Sequence, residues 1–411
     1  MRAALRPFAI SLAFVALACV KLNDIFDCAA LCDNRPHAQT RCNAAGCVFQ
    51  SCDLGYADCN NDMKDGCEVD LRSDPSNCGV CSSRCLATDC NLGSCWPVES
   101  LIEPTPLLVK MVIDGDDIYF ARYAGSSTSD AGADAAAATA ILEKLSISSR
   151  MRQTLATGFY RVDALATDQD AVYVLDRPYG VSASDIEVDR VLRVAKAGGN
   201  ADALAMTNVA SSRLVVDATN VYWGSTANSG VGFVAKTGGT TNSLPDPTLP
   251  DPTYALSPVH DLALQAGRLY LASDGGLGAI ATIGGDFAIL AGGGHVSRVV
   301  ADGAQAYFLS LDPQTSTTLL RTVPLAGGDA AEIWRDPKEH RGFPVQALAL
   351  DLDFVYLITL DGVARVEKAT GAQILLAGAQ PFVTDLAVDA DYVYWCGGVG
   401  IRRLAKQHIA R

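Results

Sequence analysis

The sequence predicts an all-β chain: a seven-bladed β-propeller of four-stranded blades, preceded by a small N-terminal disulfide-rich domain. Three observations predict it. First, Tyr119, Tyr173, Tyr222, Tyr270, Tyr307, Tyr356 and Tyr394 recur at intervals of 54, 49, 48, 37, 49 and 38 residues. Each is flanked by apolar residues, and five positions before each stands an Asp, or Gln265 in the fourth instance. Self-similarity at this period marks a repeat architecture. Second, most repeats continue into a short apolar run that ends in a glycine-rich turn, as in Val191–Gly199, Phe233–Gly239 and Val363–Gly371. Third, twelve of the fourteen cysteines lie between Cys28 and Cys95.

Each repeat holds four strands. Strand A is the apolar run before the Asp, and strand B carries the Tyr. Strand C precedes the Gly pair, which supplies the positive φ of a hairpin turn, and strand D follows it. The Asp leads the A–B turn, where its side chain can bond the backbone. Four strands per 40–50 residues is a propeller blade. The seventh repeat stops after strand C, while Val98–Ile102 precedes the first repeat as a strand without a blade. The N-terminal strand is therefore expected to complete blade seven, closing the ring and removing open edges. These repeats resemble those of the YWTD-like and related extracellular or periplasmic propellers over some 300 residues. The resemblance implies the fold; the wording differs in every blade, so it implies no ligand.

Residues 1–18 read as a signal peptide: Arg2 and Arg6, an apolar run from Phe8 to Ala18, and the small residues of Ala16-Leu17-Ala18. Cys19 follows at once, so the segment also resembles a lipoprotein box. Cys19 is the lipidation candidate, at the head of a linker over 19–27; the alternative is a plain secretory signal. The even count of twelve cysteines in 28–95 leaves Cys19 over. The mature chain is expected to be exported, as an outer-membrane or cell-surface lipoprotein or as a secreted or periplasmic protein, where disulfides persist. A membrane is contacted only through the anchor.

The module over 28–95 is poor in apolar residues, so covalent staples must offset its chain entropy. Its Gly55-Tyr56-Ala57-Asp58-Cys59-Asn60, Asp65-Gly66-Cys67-Glu68 and Asp74-Pro75-Ser76-Asn77-Cys78-Gly79-Val80-Cys81 stretches resemble a cysteine-rich module of exported bacterial proteins. The resemblance implies an extracellular spacer. Cys78, Cys81 and Cys85 have zinc-knuckle spacing, but an oxidising compartment favours disulfides. Asp58, Asn60, Asp62, Asp65 and Glu68 are hard oxygen ligands and weak calcium candidates; Met63 and Val69 occupy the positions where an EF-hand needs Gly and a bidentate acid. No other cofactor is expected.

Over 96–411 the insertions fall in the B–C and D–A connections, which share one face of an up-and-down blade: 125–140, 176–189, 245–253 and 335–341. Variable loops on a rigid scaffold are where binding sits. Strand A begins at that face, and its first positions, nine and ten residues before each Tyr, concentrate polarity. Lys110, Asp163, Arg213, His260, Asp261, Arg298, Gln346 and Asp385 form the candidate ligand-binding ring at the channel mouth. The function expected is a binding or interaction module with a protein or glycan partner at the loop face. Net charge −14, with 46 acidic against 32 basic residues, excludes nucleic acid as a partner. The alternative is a metal-dependent lyase or hydrolase with Asp163, His260, Asp261 and Asp385 as ligands. No nucleophile elbow, P-loop or His-Glu-x-x-His motif occurs. Tyr222-Trp223 and Tyr394-Trp395 are expected in the core, and Cys396 as a buried free thiol.

Overall fold

The computed structural model describes residues 35–43, 46–62, 64–85, 90–104, 108–123, 140–177, 189–207, 211–225, 230–244, 258–285, 287–338, 347–378, 380 and 382–409. The signal peptide, Cys19, most of the long insertions and Gln346 lie outside them. Among the described residues no helix is long and apolar enough to cross a membrane.

Seven four-stranded antiparallel sheets follow one another, each in the order A-B-C-D. The A strands are Leu108–Asp114, Val162–Thr167, Ser211–Val216, Val259–Gln265, Val296–Ala301, Leu348–Leu350 and Val383–Val388. Each touches the A strand of the next blade, and that of blade seven touches that of blade one, so the ring is closed. Blade seven takes its fourth strand from Val98–Ile102, which pairs with Gly400–Ala405 in the register Ile401↔Ile102 and Leu404↔Val98. The expected closure is thus present.

The repeated Asp explains the A–B turns. In blades two, three, five, six and seven one carboxylate oxygen accepts the backbone N–H groups two and three residues on. Asp302, for instance, takes those of Ala304 at 2.9 Å and Gln305 at 2.8 Å. The other oxygen of Asp168, Asp217, Asp351 and Asp389 accepts the Tyr hydroxyl of the same blade at 2.7–2.8 Å. The buried ring thus keeps a hydrogen bond for its polar end. Blades one and four differ. Their turns are two-residue hairpins through Gly115 (φ 58°), and through Ala266 (φ 49°) and Gly267 (φ 72°). Tyr119 therefore reaches Asp117 instead, at 3.3 Å.

The core lies between blades. Tyr119, Leu142 and Phe159 of blade one pack with Val174 and Leu192 of blade two. Trp395 of blade seven packs with Tyr356 and Leu376 of blade six. Both Tyr-Trp pairs and Cys396 are buried as expected, and burial pushes the Cys396 thiol pKa up.

The chain divides into two compact units, Met1–Val69 and Asp70–Arg411. In the first, strand Ala38–Asn43 pairs with Gly46–Cys52, and Cys52 is bonded to Cys67. In the second, residues from Asp70 onward pack with the propeller. The hydroxyl of Ser94 donates to the Leu376 carbonyl at 2.5 Å, Gly378 N–H to the Gly93 carbonyl at 2.7 Å, and Gln380 to the Leu92 carbonyl at 2.6 Å. The later part of the cysteine-rich stretch thus lies with the propeller's own compact unit. Two of its disulfides are Cys78–Cys90 and Cys85–Cys95, the pairing that an oxidising compartment favours. Together the disulfides point to an exported protein.

Candidate binding site at the channel mouth

Six A strands carry the same irregularity. The pairing with strand B skips one residue, as between Leu108 and Lys110, Val162 and Ala164, Val259 and Asp261, Val296 and Arg298, and Val383 and Asp385. A bulge re-aims a side chain and ends regular pairing. Repeated round the ring, it turns the side chains at the start of strand A toward the channel. Lys110, Asp163, Arg213, His260, Asp261, Arg298 and Asp385 consequently line one cavity of about 420 Å³. Gln346, the eighth expected member, lies outside the described residues. Arg177, just past strand B of blade two (Ala171–Asp176), also lines the cavity and was not anticipated. It stands on the loop face where no repeat equivalent drew attention to it.

The carboxylates in this cavity are largely engaged. Asp385, 7% exposed, accepts the backbone N–H of Met111 at 3.1 Å, linking blade seven to blade one. Asp261, 5% exposed, accepts that of Val299 at 3.1 Å, linking blade four to blade five. These two acids are stitches between neighbouring A strands. Asp163 is paired with Arg161 at 2.9 Å and Arg177 at 3.3 Å, and Arg177 also holds the buried Asp189 at 2.8 Å.

Arg213 reaches Asp261 only at 3.8 Å, and Arg298 donates to the Ser297 carbonyl at 2.7 Å. The Lys110 side chain makes no hydrogen bond or ion pair among the described residues. Burial alone would lower the Arg213 pKa, but Asp261 and Asp385 outweigh it and hold the guanidinium firmly charged. The mouth thus gathers positive side chains in a chain whose net charge is −14.

The four residues expected as enzyme metal ligands do not act together. Asp163, Asp261 and Asp385 face arginines or backbone amides, and no three of the four bring ligand atoms within 4.8 Å. His260 instead meets two residues that the sequence did not single out. Its Nε2 lies 2.8 Å from Asp274, and His295 Nδ1 bonds the same carboxylate oxygen. Burial raises the Asp274 pKa, but the two imidazoles outweigh it and hold the carboxyl below the usual range. Burial and the neighbouring His260 push His295 down.

The calcium candidates lie in the first unit. Asn60 donates to Asp65 at 2.9 Å and accepts the Asp62 N–H at 2.6 Å, while Asp62 accepts the Lys64 N–H at 3.1 Å and Glu68 the Cys59 N–H at 3.1 Å. These side chains shape their own turns.

A larger groove, about 680 Å³, lies on the A–B turn face between blades five and six, lined by Tyr307, Phe354, Arg365 and Lys368. Its lysine is already bound to Asp302 at 2.8 Å, and Arg365 lies over the Phe354 ring. The mouth has the stronger claim because its charges converge from six blades.

No family model and no curated protein matches the chain. Among solved structures the chain is similar to the extracellular domain of BT4673 from B. thetaiotaomicron, at 10% identity and a TM-score of 0.50, over 75% of this chain and 39% of that one. Weaker likenesses are a nidogen/laminin complex (15% identity, TM-score 0.40, 57% of this chain and 84% of that one) and a prolyl endopeptidase (14%, 0.47, 70% and 43%). The chain thus spans well under half of the BT4673 domain it matches. At such identity the likeness shows the fold alone: a β-propeller similar to an extracellular one.

Proposed function

We propose that this chain is an exported interaction module whose propeller holds an acidic group of an extracellular protein or glycan partner at the channel mouth. One observation carries the reading. Lys110, Arg213 and Arg298, from blades one, three and five, share a cavity with Asp261 and Asp385, whose oxygens already accept backbone N–H groups. The cavity lining carries four cations, with Arg177 as the fourth, against the three carboxylates of Asp163, Asp261 and Asp385, and an excess of positive charge in a concave, partly desolvated site favours an anion. Export through residues 1–18 and acylation of Cys19 would hold the module at the membrane surface.

Photo-crosslinking in intact cells tests this. A crosslinking amino acid at Arg177, on the mouth, should capture a discrete partner. The same group at Leu352, on the A–B turn face and 88% exposed, should not. Capture at Leu352 alone would move the interface to the other side. Mass spectrometry of the mature N-terminus checks the anchor: a diacyl or triacyl Cys19 supports it, and a free Cys19 or a start elsewhere argues for plain secretion.

A further inference from the structure

We propose that His260, Asp274 and His295 form a transition-metal site, of the class that takes Zn²⁺, at the rim of the channel mouth. The chain has five histidines, and two from different blades converge here on one carboxylate oxygen. Their rings lie 4.4 Å apart, and the ligand atoms of all three residues fall within 4.8 Å of one another. Two neutral imidazoles and a carboxylate are the donor set that suits zinc and its neighbours, and three protein ligands leave positions open.

The backbone fixes each ligand. His260 is the bulged residue of its A strand, between the pairs Val259↔Ser273 and Asp261↔Ala272, so its side chain is re-aimed toward the face. Asp274 opens the tight turn between strands Arg268–Ser273 and Gly276–Ala281. That turn is held by Ser273 Oγ donating to the Gly276 carbonyl at 2.8 Å. It also requires glycine at 276, where φ is 124° and a Cβ would come 2.2 Å from the Ala291 carbonyl oxygen. His295 directly precedes strand A of blade five. The three therefore come from the A strand, the B–C turn and the D–A connection, all at one end of the blades. Their side chains are 24%, 47% and 34% exposed, open enough for an ion to enter. His260 also lines the central cavity, so an ion held here would present its open positions beside the cationic mouth. The site does not depend on the anion reading: its ligands are distinct from Lys110, Arg213 and Arg298.

The test uses the full mature chain without a polyhistidine tag, stripped with chelator and titrated with Co²⁺ and then Zn²⁺. One equivalent of Co²⁺ should develop a low-symmetry visible absorption band, which Zn²⁺ then displaces. His295→Ala and, separately, Asp274→Asn should each weaken binding by about tenfold or more. Asp274→Asn sits in an exposed turn and serves as the second variant should His295→Ala fold poorly, with circular dichroism as the check. Equal affinity in wild type and Asp274→Asn, or no stoichiometric Co²⁺ band in the wild type, would overturn the assignment. Metal binding that persists while acidic ligands fail to bind would sink the anion reading alone.

Discussion

Lys368, just past strand C of blade six (Gly362–Glu367), places its ammonium 2.8 Å from Asp302 of blade five and 4.5 Å from the centre of the Tyr307 ring. The relation repeats round the ring. Lys406 pairs with Asp351 at 2.7 Å over Tyr356, Lys236 with Asp168 at 2.7 Å over Tyr173, and Lys196 with Asp114 over Tyr119. Each latch joins the C strand of one blade to the A–B turn of the blade before it. Where the acid is replaced by Gln265, the matching position of blade five holds Leu325, so the missing charges are absent together. The lysine is 11–16% exposed in all four latches, so the pairs are screened only in part.

Breaking one latch should therefore cost more than a surface pair. Lys368→Met should destabilise by about 1.5–3 kcal/mol, the range for a hydrogen bond to a charged group. Asp302→Ala should cost more, because it also frees the N–H groups of Ala304 and Gln305. Urea unfolding of the two single variants and the double variant checks this; additive losses would mean that the two side chains are not coupled.

The same carboxylates set a pH window. Burial raises Asp168, Asp217, Asp302 and Asp351, but their hydrogen bonds and, except for Asp217, a lysine partner outweigh it, so all four lie below the usual carboxylate range. A depressed acid contributes stability that is present above about pH 4 and is lost as pH falls toward its folded value. The ring tyrosines give the opposite edge. Burial, with the adjacent carboxylate, pushes Tyr173 and Tyr307 up to about 12. Their contribution is full below pH 10 and declines as pH rises through 12. Tm measured against pH should show a plateau between these limits with a fall on both sides. A Tm that held steady down to pH 2.5 would contradict the acid edge.

Asp385 and Asp261 should behave as structural residues. Asp385→Ala leaves the Met111 N–H without its acceptor inside the ring and should cost about 1–3 kcal/mol. Asp385→Asn, whose amide oxygen can still accept, should recover a substantial part of the loss. Guanidinium unfolding separates them; equal destabilisation by both would mean that the negative charge matters and the hydrogen bond does not.

Ile102, buried against Ile401 in the closing strand, tests the ring closure. Ile102→Ala should cost about 2–4 kcal/mol by leaving a cavity. It should also raise the fraction of oligomers seen by light scattering, since a loosened fourth strand exposes an edge. An unchanged midpoint would show that blade seven does not need that strand.

The architecture was legible because its signals are local and repeat seven times. An Asp five residues before a Tyr reports a turn and a core ring at once, and the unpaired Val98–Ile102 reports the closure. The channel-mouth residues were legible for the same reason: alignment on the Tyr places Lys110, Arg213, Asp261, Arg298 and Asp385 at one height. What alignment could not give was the partner of each side chain. Asp261 and Asp385 look like ligands in sequence, yet each serves a backbone N–H of the next blade. Lys196, Lys236, Lys368 and Lys406 stand before or within the C–D turns or the chain end in plain view, but their acids are 55–82 residues away. Asp274 and His295 occur in one blade junction only, so no repeat exposed them.

Calorimetric titration of a short polyglutamate peptide and of polygalacturonate into the wild-type chain, and into an Arg213→Ala/Arg298→Ala variant, tests the mouth most directly. At least one polyanion should bind the wild type, with affinity falling as salt rises, and the variant should bind about tenfold or more weakly. Equal binding by wild type and variant, or no binding of either polyanion at low salt, would contradict the anion reading.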